Sequence, residues 1–208
     1  MVDEIKEVIR EGYTRVTTVL NQWEKYGGID PELVIRAGER GTRVHKGIDD
    51  IHVGLPVSMT VEQGGLYFKS FLLWYQKENY VLHQSEQRIY EEFGADPFPV
   101  TGCIDALVQL PGRTDLTLID WKTSANADKE VWPMQAQFYL HLLRQSGVQG
   151  LSRALFVKLD KAGGMPKVHE YEWSDRLLRT CMSAKDTYMQ VKPWLEKRKD
   201  FIDNEYVF

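Results

Sequence analysis

Between residues 98 and 123 the chain carries two apolar, β-rich runs, F-P-V-T-G-C-I-D-A-L-V-Q-L and L-T-L-I-D-W-K-T. A Pro111-Gly112 turn signal lies between them, so the stretch reads as an antiparallel hairpin. With the turn centred between Gly112 and Arg113, Asp105 falls opposite Asp120. Directly opposed side chains on paired strands have Cβ atoms roughly 4.5–5.5 Å apart, and like charges there destabilise. Lys122 follows Asp120 by two positions and shares its face, while Trp121 between them points the other way, into the core.

The rest of the chain takes its place around that hairpin. Residues 12–23 read as an extended entry leading to a short helix, with Thr17 or Thr18 as its cap. Asp30-Pro31-Glu32 is a helix start, with an N-cap acid, a proline at the first position and an acid in the first turn. That helix runs toward His52 and stops near Gly54. It contains Gly38, Gly41 and Gly47, each costing about 1 kcal/mol relative to Ala. Either it breaks near Gly38–Gly41, or something packs closely on its backbone there. Thr60 and Gln63 form a capping-box pattern opening a helix to about Asn79. Its aromatics Tyr67, Phe68, Phe71, Trp74 and Tyr75 are mostly core, with nucleobase stacking the alternative for one or two. Residues 81–92 read as a polar strand, 133–146 as a helix ending at Gly147, 152–159 as a strand and 168–173 as an edge strand. Ser174 opens a long helix to about Val191, ended by Pro193. This order predicts an α/β fold: one mixed sheet with helices on both sides.

Composition narrows the classes. The chain has 208 residues, of which 43% are hydrophobic and 27% charged. That is enough for one domain with a full core, and ordinary for a globular protein. No run approaches the ~18 apolar residues of a membrane span, and the acidic, mixed start M-V-D-E-I-K-E-V-I-R is unlike a signal peptide. The two cysteines, Cys103 and Cys181, point to reduced thiols in a cytoplasmic setting and are too few for a four-cysteine iron–sulfur cluster. The net charge of −4 gives no global attraction to nucleic acid, so such a partner needs a local basic face. Arg36, Arg40 and Arg43 recur at helical spacing and supply one; a solvated helix face is the competing reading.

The candidate chemistry is Asp105, Asp120 and Lys122. Hard oxygen ligands on neighbouring strands suit Mg²⁺ or Mn²⁺, which activate water and neutralise charge on a phosphoryl oxygen. Lys122 would orient the water or touch the scissile phosphate. An ion pair between Lys122 and one aspartate, with no metal, is the alternative on spacing alone.

The motifs G-C-I-D, I-D-W-K-T and Q-x-x-x-Y (Gln135 to Tyr139), preceded by G-T-R-V-H at residues 41–45, resemble the PD-(D/E)XK nuclease superfamily. The resemblance is closest to its RecB-like branch, which includes phage exonucleases and the mitochondrial genome maintenance exonuclease. It implies that His45, Asp105, Asp120 and the backbone carbonyl of Trp121 ligate Mg²⁺ or Mn²⁺. It further implies that Lys122 is catalytic and that Glu86 supports catalysis from the preceding strand. Gln135 and Tyr139 would support the site and the DNA, and Thr123 would touch a phosphate. With the Arg36/Arg40/Arg43 stripe, Lys46 would hold the DNA backbone. Imidazole at His45 favours Mn²⁺ over Mg²⁺.

Two features depart from the branch: Ile104, not proline, precedes the first carboxylate, and the cysteine cluster of some relatives is missing. With no G-x-x-x-x-G-K-[ST] phosphate loop, the expectation is a standalone nuclease of restriction-endonuclease type. A single domain would span residues 1–208, with a mainly helical part to residue 80, a core sheet at 81–160, and an edge strand and helix at 161–208. The expected function is metal-dependent hydrolysis of DNA from single-stranded or frayed ends, in replication, repair or recombination, in the cytoplasm of a bacterial or phage-infected cell. A recombination or replication protein is a candidate partner. A non-catalytic nucleic-acid-binding module, a sequence- or structure-specific endonuclease and an RNA nuclease are the rival readings.

Overall fold

The computed structural model describes residues 9–21, 30–92 and 96–205, with side chains of the last helix described as far as Trp194. The acidic start, residues 1–8, and the end of the expected first helix, Gln22 and Trp23, lie outside the described residues. The elements run in the order β1 (Thr14–Arg15), α1 (Val16–Leu20), α2 (Pro31–His52), α3 (Gly65–Glu78), β2 (Val81–Tyr90), β3 (Val100–Gln109), β4 (Leu116–Lys122), α4 (Val131–Gln145), β5 (Arg153–Lys158), β6 (Lys167–Glu172) and α5 (Asp175–Glu205). They build a six-stranded mixed sheet. β3 pairs antiparallel with β2 on one edge. Its other edge takes β4, antiparallel, at residues 106–109 and β1, parallel, at residues 100–101. β4 continues to β5 in parallel through the α4 crossover, and β6 closes the far edge.

Two apolar clusters sandwich the sheet. One packs Ile104, Leu107 and Leu118 with α1, α4 and Cys181 of α5. The other packs Ala106, Val108, Ile119 and Trp121 with α2 and α3. Trp121 is 1% exposed and meets Phe71 and Trp74 edge-on, with centroids 5.2 and 5.3 Å away. Such aromatic pairs add about 0.5–1.5 kcal/mol each beyond their burial.

The helix α2 forms as its sequence dictates. The Asp30 carboxylate accepts from the Glu32 N–H at 2.9 Å, and the helix passes Gly38 and Gly41 unbroken to His52. Close packing is the reason for two of its glycines. A Cβ on Gly41 would stand 3.2 Å from Thr123 Oγ1, and one on Gly47 would stand 2.9 Å from Met59 Cε. The inner face of α2 is thereby laid directly on the end of β4.

Three expected boundaries move. Arg15, not Thr17 or Thr18, is the N-cap of α1, and it makes no side-chain cap bond. The chain stays extended through Arg15 because β1 pairs with β3 there, which puts both threonines inside the helix. The Thr60/Gln63 box does form, with bonds of 3.0 and 3.3 Å, but it closes a turn. Gly64, at φ +107°, interrupts the chain before α3 starts at Gly65. Finally, α5 continues through Pro193 to Glu205. Pro193 is exposed, so water can take the carbonyl left without its helical N–H donor.

Candidate active site

The ladder between β3 and β4 runs from Gln109↔Leu116 to Ala106↔Ile119. One step further in the same register stand Asp105 and Asp120. There the ladder ends, and Asp105 Oδ2 accepts the Trp121 N–H at 2.6 Å. The other oxygen, Oδ1, lies 3.2 Å from His45 Nδ1. His45 projects from α2 toward the sheet, and Glu86 Oε1 of β2 lies 3.8 Å from the same nitrogen. Ligand atoms of His45, Glu86 and Asp105 all fall within 4.8 Å of one another, the one such group among the described residues.

Glu86 reaches this point through an irregularity in the sheet. Its φ is +46°, a left-handed conformation uncommon for a side-chain-bearing residue. The β2–β3 register pairs Ser85 with Ala106 and Gln87 with Ile104, and skips the rung between them, Glu86 with Asp105. On β3, Ile104 and Leu107 face one cluster while Ala106 and Val108 face the other. Same-face residues three apart mean that the period of two breaks here. Both strands are irregular at the same rung, and it is the rung that carries the acids.

Asp120 and Lys122 face the α4 side. Lys122 Nζ is 2.7 Å from Asp120 Oδ2 and donates to Gln135 Oε1 at 2.8 Å. The Phe156 ring lies 4.8 Å from the ammonium. Gln135 Nε2 donates to Asp120 Oδ1 and to Tyr139 Oη, at 3.3 and 3.2 Å. One glutamine, buried to 7% exposure, thus ties the lysine, the aspartate and the tyrosine together. Tyr139 presses on Gly102, where a Cβ would stand 2.5 Å from its ring. The close approach of α4 to β3 requires glycine there.

Burial strips water from Asp120 and pushes its carboxyl up to about 6; Lys122 pulls it back, while the Asp105 charge adds to the rise. Burial alone would lower His45, but the charge and hydrogen bond of Asp105, helped by Glu86, hold it well above its ordinary value. Glu86 and Asp105 thus gather at the His45 imidazole, and Asp120 at the Lys122 ammonium. Asp120 Oδ2 is buried without a hydrogen bond of good geometry, and a divalent cation suits both that atom and the nitrogen–oxygen set of His45, Glu86 and Asp105.

The other expected residues are placed as follows. Arg36 and Arg43 lie on the open face of α2, paired one turn back with Glu32 at 3.0 Å and Glu39 at 3.8 Å. Arg40 stacks on Tyr67, 5.1 Å from its centroid, so it leaves the open stripe. Lys46 pairs with Asp50 at 3.1 Å. Thr123 is half-buried against Gly41. A cleft of about 520 Å³, lined by Thr42, His45, Lys46, Asp49 and Glu86, opens beside the imidazole. Asp49 is a residue that sequence reasoning missed. Its signal was its place one helical turn after His45, on the same face.

The match to known families settles the lineage. The model of the PD-(D/E)XK nuclease superfamily matches residues 22–207. The chain belongs to the PD-(D/E)XK nuclease superfamily. No curated protein matches this PD-(D/E)XK chain in sequence. Among solved structures, a candidate exonuclease from Eubacterium rectale is similar, with a TM-score of 0.52 at 14% identity, over 86% of this chain and 79% of that one. This likeness shows the fold. The alkaline exonuclease of Laribacter hongkongensis is similar at a TM-score of 0.47 and 11% identity, over 93% of this chain and 94% of that one. Its complex with dAMP gives a TM-score of 0.49 at 12% identity, over 93% and 94%. No helix among the described residues is long and apolar enough to cross a membrane.

Proposed function

We propose that this PD-(D/E)XK protein is a divalent-cation-dependent DNA exonuclease of the RecB-like branch, acting on single-stranded or frayed ends. The observation that carries the reading is the convergence of His45, Glu86 and Asp105 within 4.8 Å, beside the Lys122–Asp120 contact at 2.7 Å. His45, Glu86, Asp105, Asp120 and the Trp121 carbonyl would hold Mg²⁺ or Mn²⁺. A bound cation supplies an activated water and neutralises charge on the phosphate.

The chain's own groups do the rest. Lys122, held by Gln135 and flanked by Phe156, places its ammonium where it can orient the attacking water or meet charge growing on a phosphoryl oxygen. Water oxygen bonds to phosphorus as the bond to the departing oxygen breaks. Gln135 and Tyr139 position Lys122 and Asp120 from behind. Arg36, Arg43 and Lys46 hold the phosphate backbone on the approach along α2, with Thr123 at its end. The similar structure from Eubacterium rectale is described as a candidate exonuclease, which supports this reading.

The test uses end-labelled linear DNA and circular single strands, each with Mg²⁺, Mn²⁺ or EDTA. Metal-dependent loss of the linear DNA alone is the expected result. Equal cutting of circles would make the protein an endonuclease, and binding without cleavage would make it a non-catalytic module.

A further inference from the structure

β2 is irregular at two points, the register shift between Leu82 and Gln84 and the positive φ of Glu86, and a left-handed residue inside a strand persists only where its surroundings over-determine it. Ser85, the neighbour of Glu86, is held by Asp49 and His52 and lies near the Asp105 backbone. Its Oγ donates to Asp49 Oδ1 at 2.7 Å, lies 3.2 Å from His52 Nδ1, and is 3.5 Å from the carbonyl oxygen of Asp105. His52 Nε2 in turn lies 2.6 Å from Tyr80 Oη.

The direction of these bonds follows from the partners. An ionised carboxylate only accepts, so the single Ser85 hydroxyl proton goes to Asp49. Ser85 Oγ is then left to accept from Nδ1–H of His52, whose Nε2 accepts from Tyr80. Each member of the chain is satisfied in one consistent arrangement. The same helix that offers His45 to the ligand group offers Asp49 and His52, four and seven residues later, to Ser85. Ser85 therefore links α2 to β2 at the residue before Glu86.

We infer that Ser85, clamped between Asp49 and His52, is a positioning residue that fixes the left-handed turn at Glu86 and so sets the Glu86 carboxylate beside His45 and Asp105. This rests on the reading of that cluster as a cation site. Outer partners of metal ligands change affinity about 10–100-fold when removed, and Ser85 acts on Glu86 in that manner.

The test measures Mn²⁺ binding to EDTA-stripped protein by calorimetry, without DNA, beside a melting curve of each metal-free variant. Ser85→Ala is expected to bind Mn²⁺ at least about tenfold more weakly with its melting temperature little changed. Ser85→Thr, which keeps the hydroxyl, is expected to restore wild-type binding. Glu86→Gln separates the positioning role of Ser85 from the cation site itself. If Glu86→Gln weakens Mn²⁺ binding and Ser85→Ala does not, the positioning role is overturned and the cation site stands. If Glu86→Gln binds as wild type, the cation site itself is misread. Should Ser85→Ala not fold, His52→Phe carries the test, since it removes the Ser85 donor and keeps an aromatic ring against Phe71. Weakened Mn²⁺ binding in His52→Phe supports the clamp, and unchanged binding overturns it.

Discussion

Gly102→Ala probes the joint between the sheet and Gln135, the residue that ties Lys122, Asp120 and Tyr139 together. Gly102 has no positive φ, so an alanine is compatible with its backbone. Such a change would ordinarily stabilise by about 0.4–1 kcal/mol, by restricting the unfolded chain. Here the new methyl would stand 2.5, 3.0 and 3.3 Å from Cε1, Cδ1 and Cζ of Tyr139. Carbon atoms settle at about 3.5–4.0 Å, so the ring must retreat by about 1 Å. It has little room, being 4% exposed and held through Oη by Gln135 at 3.2 Å. Overpacking of this kind costs about 1–3 kcal/mol, and losing the hydrogen bond adds about 0.5–1.5 kcal/mol. Urea unfolding with an unchanged m-value should show the loss, and cleavage should fall with it as Gln135 shifts from Lys122. In a Tyr139→Leu background the ring is gone, and the same Gly102→Ala change should become neutral or stabilising. If Gly102→Ala stabilises the otherwise wild-type protein, the ring is not wedged on β3 and the path from Tyr139 to Lys122 is wrong.

Three further outcomes follow from the same geometry. Lys185 of α5 is fully buried between Glu91 at 3.3 Å and Asp96 at 2.7 Å. Burial opposes both carboxylates, yet His141, Lys185 and the Val100 N–H hold Glu91 low, and Lys185 and the Phe98 N–H hold Asp96 low. Their depressed folded values mean that this stability is complete above the unfolded carboxylate values of about 4 and is lost as pH falls through the lower folded ones. Lys185→Met should cost about 3–5 kcal/mol at neutral pH and reverse the trend, so that urea stability rises as pH is lowered from 7 to about 5; a parallel pH curve would refute the network. Arg36→Ala with Arg43→Ala should flatten the salt dependence of single-strand binding by about 0.7 in log–log slope per lost contact, read by anisotropy in EDTA, and an unchanged slope would take the stripe off the DNA path. Asp120→Asn should fold with a normal melt, bind DNA, and cleave about 10²–10³-fold more slowly; a rate near wild type would move the active site elsewhere.

Features written in a few adjacent residues were readable from the sequence. Asp30-Pro31-Glu32 caps α2 as expected, and the Pro111-Gly112 turn fixes the hairpin register that brings Asp105 level with Asp120. Trp121 is core because alternation places it opposite Lys122. The break in alternation at Glu86 and Asp105 was not readable, since it depends on contacts between elements. Ser85 meets Asp49 across 36 residues and His52 across 33, and Lys185 meets Glu91 across 94. No local spacing encodes those distances. The glycines of α2 were ambiguous for the same reason. Gly41 faces Thr123 from another element, whereas Gly38 faces open space.

On the proposed reading, the acids and imidazole hold a cation with which Lys122 works on a phosphodiester. The most direct measurement of this is single-turnover cleavage of end-labelled DNA by the wild-type protein and by Lys122→Ala, each with Mn²⁺ and with EDTA. Cleavage by the wild type in Mn²⁺ alone, with Lys122→Ala binding DNA but leaving it intact, is the predicted result. Cleavage that persists in EDTA, or in Lys122→Ala at the wild-type rate, would contradict it.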